Sequence, residues 1–151
     1  MSYQIRLSTQ TDVPAIMQLI RELALFEKAP DEVIATEETL IRYGFSDHPL
    51  FVSWVAEKNG EILGTALCYL RYSTWKGPVL YLEDLIVTES ARGQGMGKAL
   101  FETCLRYAKD NHHQRMVWQV LDWNQPAIDF YQKYNAIFEK EWLNAYINLM
   151  E

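Results

Sequence analysis

A mixed α/β fold around one sheet is predicted by three features of the sequence. Apolar strand segments alternate with amphipathic helical stretches, an Asn-Gly pair joins two β-rich runs, and a glycine-rich corner links a buried-type strand to a helix. The 151 residues suit one compact domain, expected over residues 1–151.

The elements follow in order. YQIRLS (3–8) alternates apolar and polar residues and reads as a strand. TDVPAIMQLIRELALF (11–26) opens with Thr11 or Asp12 as cap and Pro14 in the first turn, then sets Val13, Ile16, Met17, Ile20 and Leu23 on one helical face. TEETLIRYGF (36–45) repeats the cap pattern with Thr39 three residues after Thr36, and Gly44 is expected to be a left-handed stop. LFVSWVAEK and EILGTALCYLRYS are strands joined by Asn59-Gly60, the signal of a type I′ hairpin turn. GPVLYLEDLIV (77–87) is the next strand, and Met96, Leu100, Cys104 and Ala108 mark a helix at i+4 spacing. RMVWQVLDW (115–123) reads as a strand, PAIDFYQKYN (126–135) as a helix and AIFEKEWLNAYINLM (136–150) as two closing strands. The predicted order is βα(α)βββαβαββ.

Composition narrows the function. Lys+Arg 14 against Asp+Glu 20 give a formal charge of −6, which disfavours a general grip on nucleic acid or an anionic membrane and suits a small cation. Cys68 and Cys104 form no C-x-x-C pair, so a reduced, cytoplasmic setting is expected. The start lacks the signature of an export signal, and no run reaches the roughly 18 apolar residues of a membrane span. His112 and His113 follow a helix end and, with His48, show no ligand spacing, so no metal is expected.

The corner ARGQGMGKAL (91–100) places Gly93, Gly95 and Gly97 at alternate positions. A Walker A loop requires a glycine where Arg92 stands and Ser or Thr where Ala99 stands, and a dinucleotide fingerprint requires G-x-G-x-x-G with a later acid. Neither fits. R-x-x-G-x-G before a helix instead suits a pyrophosphate lying on bare amides at a helix N-terminus, with Arg92 adding a cation. The alternative is a tight turn alone, for which three glycines are extravagant at up to about 1 kcal/mol each.

LIVTESARGQGMGKAL resembles the acyl-coenzyme-A signature of the GCN5-related N-acetyltransferases, and WNQPAIDFYQKYNAIF resembles their second cofactor segment. IRELALFEKAPDEV, TEETLIRYGFSDHPLF, YSTWKGPVLYLEDLIV and VLDWNQPAIDFYQKYNA resemble successive blocks of the diamine (spermidine/spermine) N-acetyltransferases and their thialysine-acetylating branch. The resemblance implies a GNAT fold with a splayed V between strands around 78–88 and 115–122, into which acetyl-CoA is laid as co-substrate. It implies backbone bonds from Leu85, Ile86 and Val87 to the pantetheine, a diphosphate on Arg92, Gly93, Gln94, Gly95, Met96, Gly97 and Lys98, and further contacts from Asn124, Gln125, Pro126 and Ala127. It also implies a homodimer acting on a small cationic amine.

Amine acetylation needs a neutral nucleophile, so a proton acceptor is required. Glu83 and Asp84 interrupt the apolar strand VLYLEDLIV, where unpaired charge is expensive. Neighbours on a regular strand face opposite ways, so a bulge is expected near them, and the resemblance implies one. By analogy, Glu83 binds the amine and assists its deprotonation, with Asp84 as a supporting anion. A cross-strand salt bridge is the competing reading. The resemblance gives Tyr131 the role of protonating the departing thiolate, where packing within an aromatic helix face is the alternative, and matches Phe26 and Glu27 to the family's acceptor-side pair, where a solvated surface charge is the alternative for Glu27. Trp75 is a candidate to wall the pocket and stack on a cation, with packing in its turn as the alternative. VLDWN resembles the thialysine branch more than the polyamine branch, and Val117 stands where the polyamine enzymes carry a substrate-touching histidine. The expected activity is direct acetyl transfer to a diamine, polyamine, thialysine or lysine-like compound. The alternatives are another acceptor, a protein N-terminus or an antibiotic amine, or a catalytically silent coenzyme-A-binding sensor.

Overall fold

Asn59 and Gly60 have φ of 53° and 78°, the paired positive values of a type I′ turn, whose twist matches that of the strands it joins. The turn connects β2 (Val52–Lys58) to β3 (Glu61–Ser73), and β1 (Tyr3–Leu7) and β4 (Gly77–Val87) pair antiparallel on either side. A short β5 (Met116–Val117) adds in parallel to β4, so the five strands lie in chain order. The computed structural model describes residues 2–150; Met1 and Glu151, the ends of the expected domain, lie outside it. The chain divides into two compact units, Met1–Gln119 and Val120–Glu151.

In the first unit α1 (Val13–Phe26) buries the predicted Val13, Ile16 and Met17 against Val55 of β2 and Leu40 of α2 (Glu37–Gly44). α3 (Met96–Asp110) buries Met96, Leu100, Phe101, Cys104 and Ala108. Leu100 lies over Gly64, and Cys104 lies beside Cys68, both as buried free thiols. Thr65 opposes Val55, and side chains alternate along a strand, so α1 and α3 cover opposite faces of the sheet.

Several local expectations are corrected. Neither Thr11 nor Asp12 caps α1 with a side-chain bond. Asp12 instead accepts from the Arg6 guanidinium at 2.8 and 3.0 Å and from the Thr9 amide at 2.7 Å. That ion pair holds the Asp12 carboxyl below its usual range. Thr36 and Thr39 cap α2 reciprocally, each hydroxyl accepting the other's amide N–H, so Thr39 fills the place of the usual Glu.

Gly44 is the last residue of α2 and has no positive φ. Its lack of a side chain has a steric cause: an added Cβ would stand 2.1 Å from Phe51 Cζ. Gly44→Ala should therefore destabilise the protein by about 1–3 kcal/mol, the range for overpacking. Chemical denaturation checks this.

The strand expected over 115–123 contributes only Met116 and Val117, and the two closing strands over 136–150 do not form. Local β-propensity suggested both, but strand structure needs a paired partner. Ile137 and Leu143 are more than 90% exposed. In the second unit α4 (Gln125–Gln132) is shorter than the predicted 126–135, and Asn135 has a left-handed φ of 60°. The mixed α/β class stands. No described helix is long and apolar enough to cross a membrane.

Candidate active site

The β3–β4 ladder carries one irregularity, and it falls at the predicted acids. Cys68 opposes Leu82 and Leu67 opposes Asp84, leaving Glu83 as the extra residue of a bulge. Tyr69 opposes Tyr81, and Leu67 and Tyr69 share a face, so Asp84 lies on the face that carries both tyrosines. Glu83 is turned to the same side: Tyr69 Oη donates to Glu83 Oε1 at 3.3 Å. This is the face covered by α1, which ends at Phe26, immediately before Glu27.

The electrostatics follow from this gathering. Burial, then the charge of Glu83, then that of Glu27 push the Asp84 carboxyl up to about 7. Desolvation also raises Glu27, although much of that residue remains exposed. The Tyr69 hydroxyl is pushed up to about 12, chiefly by burial and next by the Glu83 charge. Three carboxylates thus face one region, an arrangement that attracts a cation and can take a proton. Trp75 is not gathered with them: it is 83% exposed at the β3–β4 turn, while the six residue steps along β4 from Gly77 to Glu83 span roughly 20 Å. Among the described residues no three His, Cys, Asp or Glu side chains are grouped to hold a metal ion.

Beyond Tyr81, β4 loses its partner on the β5 side, because the parallel pairing ends at Tyr81–Val117. Leu85, Ile86 and Val87 keep their antiparallel partners Ala66, Thr65 and Gly64 on β3. Their other side has no ladder among the described residues. Apart from the Val87 carbonyl, which accepts from the Arg92 side chain, this backbone edge is left available for an extended ligand to add as a strand would.

After β4 the chain makes a short 3-10 turn at Glu89–Ala91 and enters the glycine corner. Gly93 and Gly95 have φ of 82° and 85°, and an added Cβ at Gly93 would meet nothing within 4 Å. These two glycines satisfy backbone conformation, while Gly97 lies within α3. The first bond of α3 runs from the Ala99 amide to the Gly95 carbonyl. The amides of Met96, Gly97 and Lys98 therefore have no acceptor inside their helix, and their N–H dipoles favour an anion at its end. Gln94 accepts from Lys58 Nζ at 2.8 Å, and Arg92 donates from Nε to the Val87 carbonyl at 3.0 Å. Open space beside Gly93, unfilled amides and two nearby cations fit a diphosphate.

In the second unit, Asn124 Oδ1 accepts the Ala127 amide at 3.3 Å, so its side chain caps α4, with Pro126 in the first turn. Gln125 Nε2 donates to Asp129 at 2.7 Å. Tyr131 is buried, its ring edge-on to Phe130 at 5.4 Å between centroids. Sequence reasoning missed Tyr69, Tyr81 and Glu22. The period-two pattern of YLRY, which puts Tyr69 on one face of its strand, was the available signal for Tyr69; Glu22 carries none.

A bulged acidic strand whose outer edge lacks a ladder beyond Tyr81, followed by a glycine corner with open amides, has the form expected of a group transferase that uses a phosphate-bearing coenzyme. A family model described as Acetyltransferase (GNAT) family matches residues 14–136. This chain belongs to that family, and it is an N-acetyltransferase acting on amine acceptors. It is 39% identical over 140 residues to the thialysine N-epsilon-acetyltransferase of Bos taurus, covering 87% of this chain and 82% of that protein. It is 36% identical over 142 residues to spermidine/spermine N(1)-acetyltransferase-like protein 1 of Homo sapiens, covering 89% of this chain but 20% of that protein. A crystal structure of an aminoglycoside acetyltransferase from an uncultured soil metagenomic sample, bound to trehalose, shares the fold. Its TM-score is 0.79 at 23% identity, over 99% of this chain and 97% of that one.

Proposed function

We propose that this N-acetyltransferase transfers acetyl directly from acetyl-CoA to the primary amine of a small flexible cation: a diamine, polyamine, thialysine or lysine-like compound. The observation that carries this reading is the bulge that brings Glu83 and Asp84 to one face, within the electrostatic reach of Glu27. The similarity to thialysine N-epsilon-acetyltransferases supports the acceptor class. The bound coenzyme supplies the acetyl thioester. Leu85, Ile86 and Val87 hold its extended arm, and the corner from Arg92 to Lys98 holds its diphosphate, with Asn124, Gln125, Pro126 and Ala127 as the second contacting segment.

An amine with an ordinary pKa of about 10.4 lies about 3.4 units from neutrality at pH 7, or roughly 4–5 kcal/mol. Glu83 accepts its proton, directly or through water, while Asp84 and Glu27 hold the cationic body. Phe26 completes the acceptor side, while Trp75 stays apart at the β3–β4 turn. The Tyr131 hydroxyl donates a proton to the departing thiolate. We read the protein as a single domain working as a homodimer in the cytoplasm.

A thermal-shift titration with acetyl-CoA, followed by coenzyme A thiol release across diamines, thialysine, lysine and peptides, tests the reading. Turnover is expected with small diamines or lysine-like amines. Peptides outrunning them overturn the acceptor class, and coenzyme binding without turnover on any amine makes the protein a sensor. Tyr131→Phe is expected to lower kcat by about 10–100-fold with the acetyl-CoA dissociation constant within about twofold. Equal loss of both returns Tyr131 to packing.

A further inference from the structure

Glu22 stands on α1 one turn before Phe26, and its carboxylate is where that helix meets the corner between β4 and α3. Thr88 Oγ1 donates to Glu22 Oε1 at 2.8 Å, and the Glu89 amide donates to Oε2 at 3.0 Å. Arg92 Nη2 lies 3.8 Å from the same Oε2, and its guanidinium sits 5.9 Å from the centroid of the Phe26 ring. An open groove of about 520 Å³ is bordered by Glu22, Thr88, Glu89 and Ser90.

Bonds within the corner, from the Ala91 amide to the Thr88 carbonyl and from the Arg92 amide to the Glu89 carbonyl, close the turn on itself. The Glu22 contacts do something different: they attach both ends of residues 88–92 to a helix. The two short bonds are charge-assisted and directional. The contact to Arg92 is long and partly solvated, and such pairs contribute little and exchange readily. A diphosphate offers the guanidinium two well-placed oxygens, a stronger partner than a carboxylate at that distance.

We propose that Glu22 is a positioning residue for the cofactor corner: it sets the path of Thr88–Arg92 into the open amides of 93–98, and adds a weak, exchangeable contact to Arg92, which the Val87 carbonyl also anchors, until an anion takes the guanidinium. The inference rests on the proposed reading of that corner as the diphosphate site. It also links the helix that ends at the acceptor-side residues Phe26 and Glu27 to the loop that binds the coenzyme.

Calorimetric titration with coenzyme A and steady-state kinetics on wild type, Glu22→Ala and Glu22→Gln test it. Glu22→Ala is expected to raise the coenzyme A dissociation constant and the KM for acetyl-CoA about tenfold, with kcat and the amine KM within about twofold. Glu22→Gln should stay within about threefold of wild type, because its amide oxygen accepts from Glu89 and its amide nitrogen donates to the Thr88 hydroxyl. An unchanged dissociation constant in Glu22→Ala overturns the proposal. So does an equal rise in both KM values, or a Glu22→Gln no better than Glu22→Ala. Should Glu22→Ala fail to fold, Thr88→Val carries the test, with at least a threefold weaker dissociation constant expected and a wild-type value overturning it. A wild-type protein that binds no coenzyme A removes the diphosphate reading itself, a pattern distinct from selective failure of the variants.

Discussion

Glu83→Gln lowers kcat/KM for the amine by about 10²–10⁴-fold while leaving the acetyl-CoA dissociation constant within about twofold, if the bulged acid accepts the amine's proton. Glutamine preserves the shape of the side chain and an acceptor for the Tyr69 hydroxyl, which now meets Glu83 at 3.3 Å. It removes the capacity to take a proton, and with it the negative charge that raises Asp84. Because deprotonation is then left to bulk base, the residual rate should climb with pH more steeply than in wild type. Coenzyme A thiol release from pH 6 to pH 10 measures both effects. A loss confined to the amine KM would make Glu83 a binding group, with the proton going elsewhere.

Asp84→Asn is expected to stabilise the fold and weaken the enzyme. The folded Asp84 carboxyl lies at about 7 against an ordinary 3.8, so the native state binds this proton more tightly than the unfolded chain does. Stability therefore falls as pH rises from about 4 to about 7, and the full penalty persists above that. The shift corresponds to at most about 4 kcal/mol at pH 8. Asparagine removes the penalty, and a gain of about 2–4 kcal/mol should raise Tm by roughly 4–16 °C at pH 8 and by almost nothing at pH 4. The amine KM should rise about tenfold through loss of the charge, and the rise in wild-type amine KM as pH drops through about 7 should flatten in the variant. Calorimetry and kinetics at the two ends of that pH range check the pair of effects. A Tm gain independent of pH would place its origin in packing.

Much of this was legible because certain residues leave the chain little choice. Asn59-Gly60 admits a tight hairpin at almost no steric cost, and Val13, Ile16 and Met17 have one helical face to bury. Two adjacent acids in an apolar strand could serve one site only if alternation broke between them, and it breaks at Glu83. The glycine corner was legible as a special turn because glycines at 93 and 95 have backbone angles that other residues adopt at a cost. What escaped depends on partners distant in sequence. Gly44 reads as a helix stop until Phe51 is seen against it, and Glu22 is an ordinary helical acid until Thr88 and Arg92 come round to it. Residues 136–150 have the composition of strands, but propensity cannot supply the neighbouring strand that makes them one.

The β3–β4 pairing would be complete with no residue at position 83. Excising it in thought leaves Leu82 opposite Cys68 and Asp84 opposite Leu67 in unbroken parity, and Leu85–Val87 keep their present orientation. The carboxylate is thus a supernumerary member of its strand, so its chemistry can change without the architecture having to answer for it.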